Sequence, residues 1–350
     1  MISDRRTRVL VVDDSAIVRK VLSDILSAQS DMEVVGTAPD PYVARDKILS
    51  LKPDVLTLDI EMPRMDGLTF LNRIMQYHPL PVIVISSLAQ SSTKAAMEAL
   101  HQGAVDVLAK PGGPYSVGDL KEDLPRRIRA AARSRLPTAR TVRPADVPPT
   151  RVVEPQGAPR QMLIALGAST GGTQAIERVL TALPAAMPPI VITQHIPPVF
   201  SAAFAERLNK VCALEVREAK GGEMLTPGVA WVAPGDRHLL VDRAGGAWRT
   251  RVDDSPKVCY QRPSVDVMFK SVSAAAGPAA LGVLMTGMGS DGAEGLLAIR
   301  DSGAETVAQD ETSCVVFGMP REAIRMGAAH HILALDAIAP LLLKRTRLKA

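Results

Sequence analysis

The stretch LIALGASTGG, residues 163–172, runs an apolar strand into a glycine-lined turn with Ser169 at its tip. Gly167, Ser169 and Gly171 satisfy the GxSxG pattern, which exposes a Ser hydroxyl on a sharp strand-to-helix turn and leaves adjacent backbone N–H groups able to bind an oxyanion. Other uses of such a turn need other companions. A P-loop requires Lys-Ser or Lys-Thr after the glycines, and a dinucleotide site requires GxGxxG with a later acid; GASTGGTQ has neither. A Ser in this place also serves as a helix N-cap, so nucleophilic chemistry needs a base and an acid at comparable strand ends. PIVITQHIPP puts His195 directly after one strand, and LGVLMTGMGSDGAEG puts Asp291 in a glycine-rich loop after another. The three form a candidate triad, in which His195 takes the Ser169 proton while Asp291 fixes the imidazole tautomer. Their chain order differs from the Ser, Asp, His of α/β-hydrolases, which points to the same geometry on another scaffold. Asp266, in PSVDVMF, ranks second as the orienting acid. Of the remaining histidines, His78 and His101 lie in the front half, His238 follows a turn in an expected hairpin, and His330 and His331 precede a C-terminal apolar segment.

A second constellation lies in the front half. Asp13 and Asp14 end a first strand, Asp59 a third, Ser86 a fourth and Lys110 a fifth. Three carboxylates in one pocket repel one another unless a cation sits there, and an all-oxygen site suits a hard divalent ion such as magnesium. Lys110 adds a further positive charge.

These residues need a scaffold that gathers strand ends. VLVVDD, MEVVGTA, DVLTLDI, PVIVISS and AVDVLAKP are short, largely β-branched strands. Between them lie helical patterns such as SAIVRKVLSDILS, with Val18, Val21, Leu22 and Ile25 on one face. Such alternation predicts a (βα)5 parallel sheet covered on both sides, with ligands beyond the carboxyl ends of its strands. The back half alternates again around MLIALG, IVITQH and ALGVLM, while GVAWVAPGDRHLLVDRAGGAWRTRV reads as hairpin strands turning at Gly235-Asp236 and Gly245-Gly246. The expected fold class is α/β throughout: a parallel five-stranded front domain, then a doubly wound, mainly parallel sheet with an antiparallel hairpin insertion. In PPVFSAAFAERL, helical spacing assigns Phe200, Phe204 and Leu208 to packing.

Composition separates the halves. The net charge of +4 over 350 residues is concentrated between Arg126 and Arg160, where nine Arg face only Asp146 and Glu154. That stretch also carries six prolines from Pro137 to Pro159 and reads as a solvated linker rather than a basic recognition helix. The expected divisions are 1–128, a linker over 129–159, and 160–350. Cys212, Cys259 and Cys314 lack a CxxC spacing, which argues against a disulfide framework or zinc site and for a reducing compartment. The N-terminal MISDRRTRV lacks a signal-peptide core, and the uncharged run from Ser271 to Ser290 is broken by glycines and Pro278, so neither export nor a membrane span is expected.

VVDDS, LDIEMPRMDG, VIVISS and LAKP, in that order, resemble the signature segments of response-regulator receiver domains. The resemblance implies phosphorylation at Asp59 by a histidine kinase. It also implies Mg2+ held by Asp13, Asp14, Asp59 and the Glu61 backbone carbonyl, with Ser86 and Lys110 on the phosphoryl group. Val107 departs from the pattern, because many receivers carry an aromatic switch residue there. IALGASTGGTQAI, VITQHIPP, VAPGDRH, PSVDVMF and MTGMGSDGAEGL resemble the catalytic domain of the chemotaxis methylesterases. That resemblance implies a Ser169 nucleophile, a His195 base, an Asp291 orienter and oxyanion donors at the backbone N–H groups of Thr170 and Met288, with no cofactor for ester hydrolysis. It implies as substrates the γ-methyl-glutamyl esters and certain glutamines of cytoplasmic chemoreceptor helices, and as setting the cytoplasm, without nucleic acid or membrane insertion. Two rivals make different demands. A transcription regulator requires a helix-turn-helix in the back half, and an unrelated serine amidase or lipase favours an HGGG-type loop and another triad order.

Overall fold

The computed structural model describes residues 5–110, 116–135 and 162–346. Most of the expected linker, and the last four residues of the basic tail, lie outside these. The chain divides into two compact units, Met1–Arg143 and Pro144–Ala350.

The first unit alternates β1 (Thr7–Val12), α1 (Ala16–Ser27), β2 (Met32–Ala38), α2 (Pro41–Leu51), β3 (Val55–Asp59), α3 (Gly67–Tyr77), β4 (Val82–Ser86), α4 (Gln90–His101), β5 (Asp106–Ala109) and α5 (Val117–Ala132). Its strands pair in parallel in the order β2-β1-β3-β4-β5. Central β3 and β4 are buried at every position, as a sheet covered on both faces requires. Four helices start on a side-chain cap of their own, with Ser15, Asp40, Asp66 and Ser116 accepting first-turn N–H groups of α1, α2, α3 and α5. Helix α4 has Ala89 at that place and no side-chain cap. Gly67 opens α3 hard against the end of β3: a Cβ there would run into the Asp59 carbonyl oxygen and lie 2.7 Å from Ile60 Cα.

In the second unit come β6 (Leu163–Ala168), α6 (Gly172–Thr181), β7 (Ile190–Gln194), α7 (Phe200–Val211), β8 (Glu215–Glu218), β9 (Val229–Val232), β10 (His238–Ala244), β11 (Ala247–Asp253) and α8 (Val265–Ala276). They are followed by β12 (Ala280–Leu284), α9 (Ala293–Asp301), β13 (Glu305–Gln309), α10 (Met319–Arg325), β14 (His331–Leu333) and α11 (Leu335–Thr346). Seven strands form a parallel sheet in the order β14-β13-β12-β6-β7-β9-β8. Strands β10 and β11 make a separate antiparallel hairpin around Gly245-Gly246. The other expected turn, Gly235-Asp236, is not a hairpin turn. β9 lies between β7 and β8 in the parallel sheet, with Ala230, Trp231 and Val232 buried, and the turn belongs to the loop leaving it. An apolar strand buried on both faces has to lie inside a covered sheet, and a two-stranded hairpin offers only one buried face.

Phe200, Phe204 and Leu208 are almost fully buried, as their helical spacing predicts. The hairpin joins the core through Leu239, Val241 and Trp248, which cluster with Met268, Phe269 and Val272 of α8. Burying side chains of this size contributes about 1.5–3 kcal/mol each, so the hairpin clamps α8 in place. That matters because α8 begins at the site.

Candidate active site and phosphoacceptor pocket

Ser169 follows β6 and His195 follows β7, adjacent parallel strands, and the His195 N–H donates to the Ala168 carbonyl at 3.2 Å. The Ser169 turn is clamped by its backbone: its N–H donates to Thr286 O at 2.9 Å, and its carbonyl accepts from Gly172 N at 2.7 Å and Gln194 Nε2 at 2.8 Å. Helix α6 is capped by Gly171 in the left-handed region, with no side-chain cap bond. Ser169 is therefore not the N-cap of that helix.

Asp291, in the loop after β12, reaches His195 Nε2 with its Oδ2 at 2.7 Å. The remaining capacity of the carboxylate is filled by the start of α8: Oδ2 accepts Val265 N at 2.7 Å, while Oδ1 accepts Ser264 Oγ at 2.7 Å and Asp266 N at 3.1 Å. Burial alone would raise the Asp291 carboxyl, but the His195, Ser264 and Val265 hydrogen bonds outweigh it and hold the group below its ordinary value. An ionised Asp291 can only accept, so His195 carries its proton on Nε2. In the neutral ring Nδ1 is then the atom with the lone pair, and it is buried without a hydrogen-bond partner. No hydrogen bond joins it to Ser169 Oγ, so the structure brings His195 and Asp291 into direct contact and leaves Ser169 beside them.

Asp266 lies beside Asp291, and its Oδ1 accepts Gly295 N at 2.6 Å. Burial, followed by the nearby Asp291 charge, pushes its carboxyl up to about 6. The folded chain keeps this proton to higher pH than the unfolded chain does. The stability it contributes is complete below 3.8 and is lost as pH rises through about 6. Asp266→Asn, which retains an acceptor for Gly295 N, should therefore match the parent protein near pH 4 and exceed it by about 1–3 kcal/mol at pH 8. Paired urea melts at the two pH values check this, and a difference that does not change with pH refutes it.

Gly287 was not singled out by its sequence, yet it fixes the approach of two loops. A Cβ on it would overlap Met319 Sδ and lie 2.7 Å from Ser169 Cβ. Gly287→Ala should cost about 1–3 kcal/mol of stability by overpacking and about a hundredfold in turnover by displacing Ser169. A thermal melt and a rate assay on the same preparation measure both, and parent-like values in the two would refute the close approach. Met288 N–H has no acceptor among the described residues. Cys259 lies near Asp266 and Asp291, and burial together with those charges raises its thiol, so it is no rival nucleophile. His331 pairs with Glu305 at 2.6 Å and His330 Nδ1 lies 3.0 Å from Thr306 Oγ1, both away from the triad.

In the first unit Asp13, Asp14 and Asp59 present carboxylate oxygens within 4.8 Å of one another. Lys110 Nζ stands 2.8 Å from Asp59 Oδ2 and 3.1 Å from Asp13 Oδ2. Burial pushes Asp59 up to about 6 in spite of the Lys110 hydrogen bond, with Asp13 adding to the rise. Asp13 is raised as well, chiefly by burial. Ser86 Oγ contacts the Ser92 carbonyl at 3.2 Å and the Ser87 carbonyl at 3.3 Å. The Glu61 carboxylate accepts from Ser92 Oγ and, at 3.4 Å, from Ser87 Oγ. Val107 is buried in β5.

A five-stranded parallel sheet with an acidic strand-end pocket, followed by a seven-stranded parallel sheet with a buried His–Asp pair beside a GxSxG turn, defines a receiver-linked hydrolase. Residues 9–119 match the response regulator receiver domain and residues 164–342 match the CheB methylesterase. The chain belongs to the protein-glutamate methylesterase/protein-glutamine glutaminase family. It is 55% identical over 343 residues to protein-glutamate methylesterase/protein-glutamine glutaminase 4 of Anaeromyxobacter dehalogenans, covering 97% of this chain and 95% of that one. The Salmonella typhimurium protein-glutamate methylesterase/protein-glutamine glutaminase is 48% identical over 342 residues, 97% of each chain. The Thermotoga maritima CheB methylesterase catalytic domain superposes with a TM-score of 0.52 at 35% identity, covering 53% of this chain and 98% of that one.

Proposed function

We propose that this chain hydrolyses γ-methyl-glutamyl esters on the cytoplasmic helices of chemoreceptors, deamidates certain of their glutamines, and is activated by phosphorylation of Asp59. The observation that carries the catalytic half is the buried His195 ring, whose Nε2 is held by Asp291 and whose Nδ1 is left as a base beside Ser169. Relative to serine proteases, in which Nε2 faces the nucleophile, the ring is presented the other way round. The tautomer logic is unchanged.

In this reading Ser169 Oγ gives its proton to His195 Nδ1 and bonds the γ-carbonyl carbon. The carbonyl electron pair moves onto oxygen, stabilised by the backbone N–H groups of Thr170 and Met288. Collapse expels the methoxy group, which takes the Nδ1 proton and leaves as methanol; from glutamine the leaving group is ammonia. A water then loses a proton to Nδ1 and attacks the acyl-enzyme. Ser169 recovers a proton and glutamate is released.

Asp13, Asp14, Asp59 and the Glu61 carbonyl would hold a magnesium ion. The donor set fits, since it is all oxygen and its three carboxylates, two of them buried, crowd within 4.8 Å of one another with only the Lys110 ammonium against Asp13 and Asp59. Bound there, the ion supplies positive charge against the phosphoryl oxygens. Ser86 and Lys110 contact the phosphoryl group, and a histidine kinase is the phosphodonor. No helix among the described residues is long and apolar enough to cross a membrane. Methanol release from methylated receptor membranes, with and without a small phosphodonor and magnesium, tests the proposal. Release no greater than from the membranes alone refutes it, and duplex binding in its place would favour a transcription regulator.

A further inference from the structure

His238 is fully buried at the head of β10, between the loop leaving β9 and the start of α8. Its Nδ1 accepts the Ser264 backbone N–H at 3.1 Å, and its Nε2 lies 3.1 Å from the Pro256 carbonyl oxygen. Both partners are backbone groups with fixed roles. An amide N–H can only donate and a carbonyl can only accept, so the ring is neutral with its proton on Nε2. The residue it grips is the N-cap of α8. Ser264 Oγ and the next two backbone N–H groups are the donors that hold Asp291, and Asp291 holds His195. The same loop is fixed at its other end, where Gly235 packs against the Pro197-Pro198 backbone just after His195. His238 thus stands where one acceptor sets the angle of the whole cap turn.

We propose that His238 is a positioning residue of the esterase, aligning Asp291 with His195 by anchoring the Ser264 cap. The proposal rests on the triad reading above. It makes no contact with substrate and acts only through Ser264 and Asp291. An unanchored cap should leave substrate binding unchanged and slow the chemistry.

Three substitutions in the full-length protein separate this role from bulk packing. His238→Asn keeps an acceptor near the Nδ1 position, His238→Gln keeps a polar group near Nε2 only, and His238→Leu keeps neither. With methylated receptor membranes, kcat should fall roughly tenfold to a hundredfold in the Leu and Gln variants at unchanged KM, the loss that follows an unsatisfied buried donor. The Asn variant should recover most of it. In the Asp291→Asn background His238→Leu should add little, because residues acting through one another are not additive. Extent and rate of Ser169 labelling by a fluorophosphonate keep the test open if a variant folds poorly: extent reads the folded fraction, and rate reads alignment. Equal labelling rates across the three variants, or Asn and Gln variants with the same kcat, overturn the proposal. Ser169→Ala run alongside keeps the two readings apart. If it remains active, the triad itself is wrong and this inference falls with it; if it is inactive while the His238 variants match the parent, only the positioning role fails.

Discussion

Ser169→Ala is expected to release no methanol from methylated receptor membranes above the rate of the membranes alone, a fall of roughly 10⁴- to 10⁶-fold. The size of the effect comes from the nucleophile itself: without Oγ no acyl-enzyme forms, and the His195–Asp291 pair has no proton to take. The fold should be unaffected within about 0.5 kcal/mol. Gly171 rather than Ser169 caps α6, and the bonds that clamp the turn use the Ser169 backbone, which Ala retains. Asp291→Asn should also cost about 10⁴-fold, since an Asn amide next to His195 favours the wrong tautomer. It carries a structural penalty that Ser169→Ala lacks. One end of the Asn amide must meet donors with a donor, because both carboxylate oxygens now accept N–H or O–H groups. A Ser169→Ala protein with measurable turnover would remove the nucleophile from the mechanism.

The second large effect belongs to the first unit. Asp59→Asn should abolish labelling by acetyl phosphate in the presence of magnesium, and with it any rise in methanol release on adding the phosphodonor. Asp59 is the strand-end acid on which Lys110 makes its shorter contact, 2.8 Å against 3.1 Å to Asp13. An amide at this position keeps the shape of the pocket and loses the nucleophilic oxygen. Radiolabel recovered after gel filtration reads the first outcome, and the esterase assay reads the second. Label persisting on the Asn variant would place the phosphoacceptor elsewhere.

Much of this was legible in the sequence because strand ends are legible. The β-branched runs and the acids that follow them located both sheets, the acidic pocket and the three candidate catalytic residues, since a parallel strand covered on both faces leaves a nearly continuous apolar signature. The same signature was misread at VAWV, where proximity to a true hairpin drew β9 out of the sheet to which it belongs. Support around Asp291 was less visible. Ser264 acts through its hydroxyl and the first N–H groups of α8 through backbone geometry, a convergence that PSVDVMF does not spell out, although a Ser before an apolar helical run is a cap signal in its own right. His238 was hidden for a further reason. Its partners are main-chain atoms of Pro256 and Ser264, so no polar side chain elsewhere in the sequence marks it as one of a pair.

The missing cap on α4 has a consequence for how the first unit can move. Its other helices are each closed by an oxygen of their own, whereas the opening turn of α4 is tied down from outside, through Ser87 and Ser92 to Glu61. Glu61 sits two residues beyond Asp59, on the loop that a phosphoryl group would crowd. Ser86, on the other side, already spends its hydroxyl on the Ser92 carbonyl in that same turn. The order of this turn is therefore borrowed, and both lenders stand beside Asp59, the proposed phosphoacceptor. Fraying of one helical turn would be the first motion to feel a phosphate arrive, without any aromatic side chain having to swing.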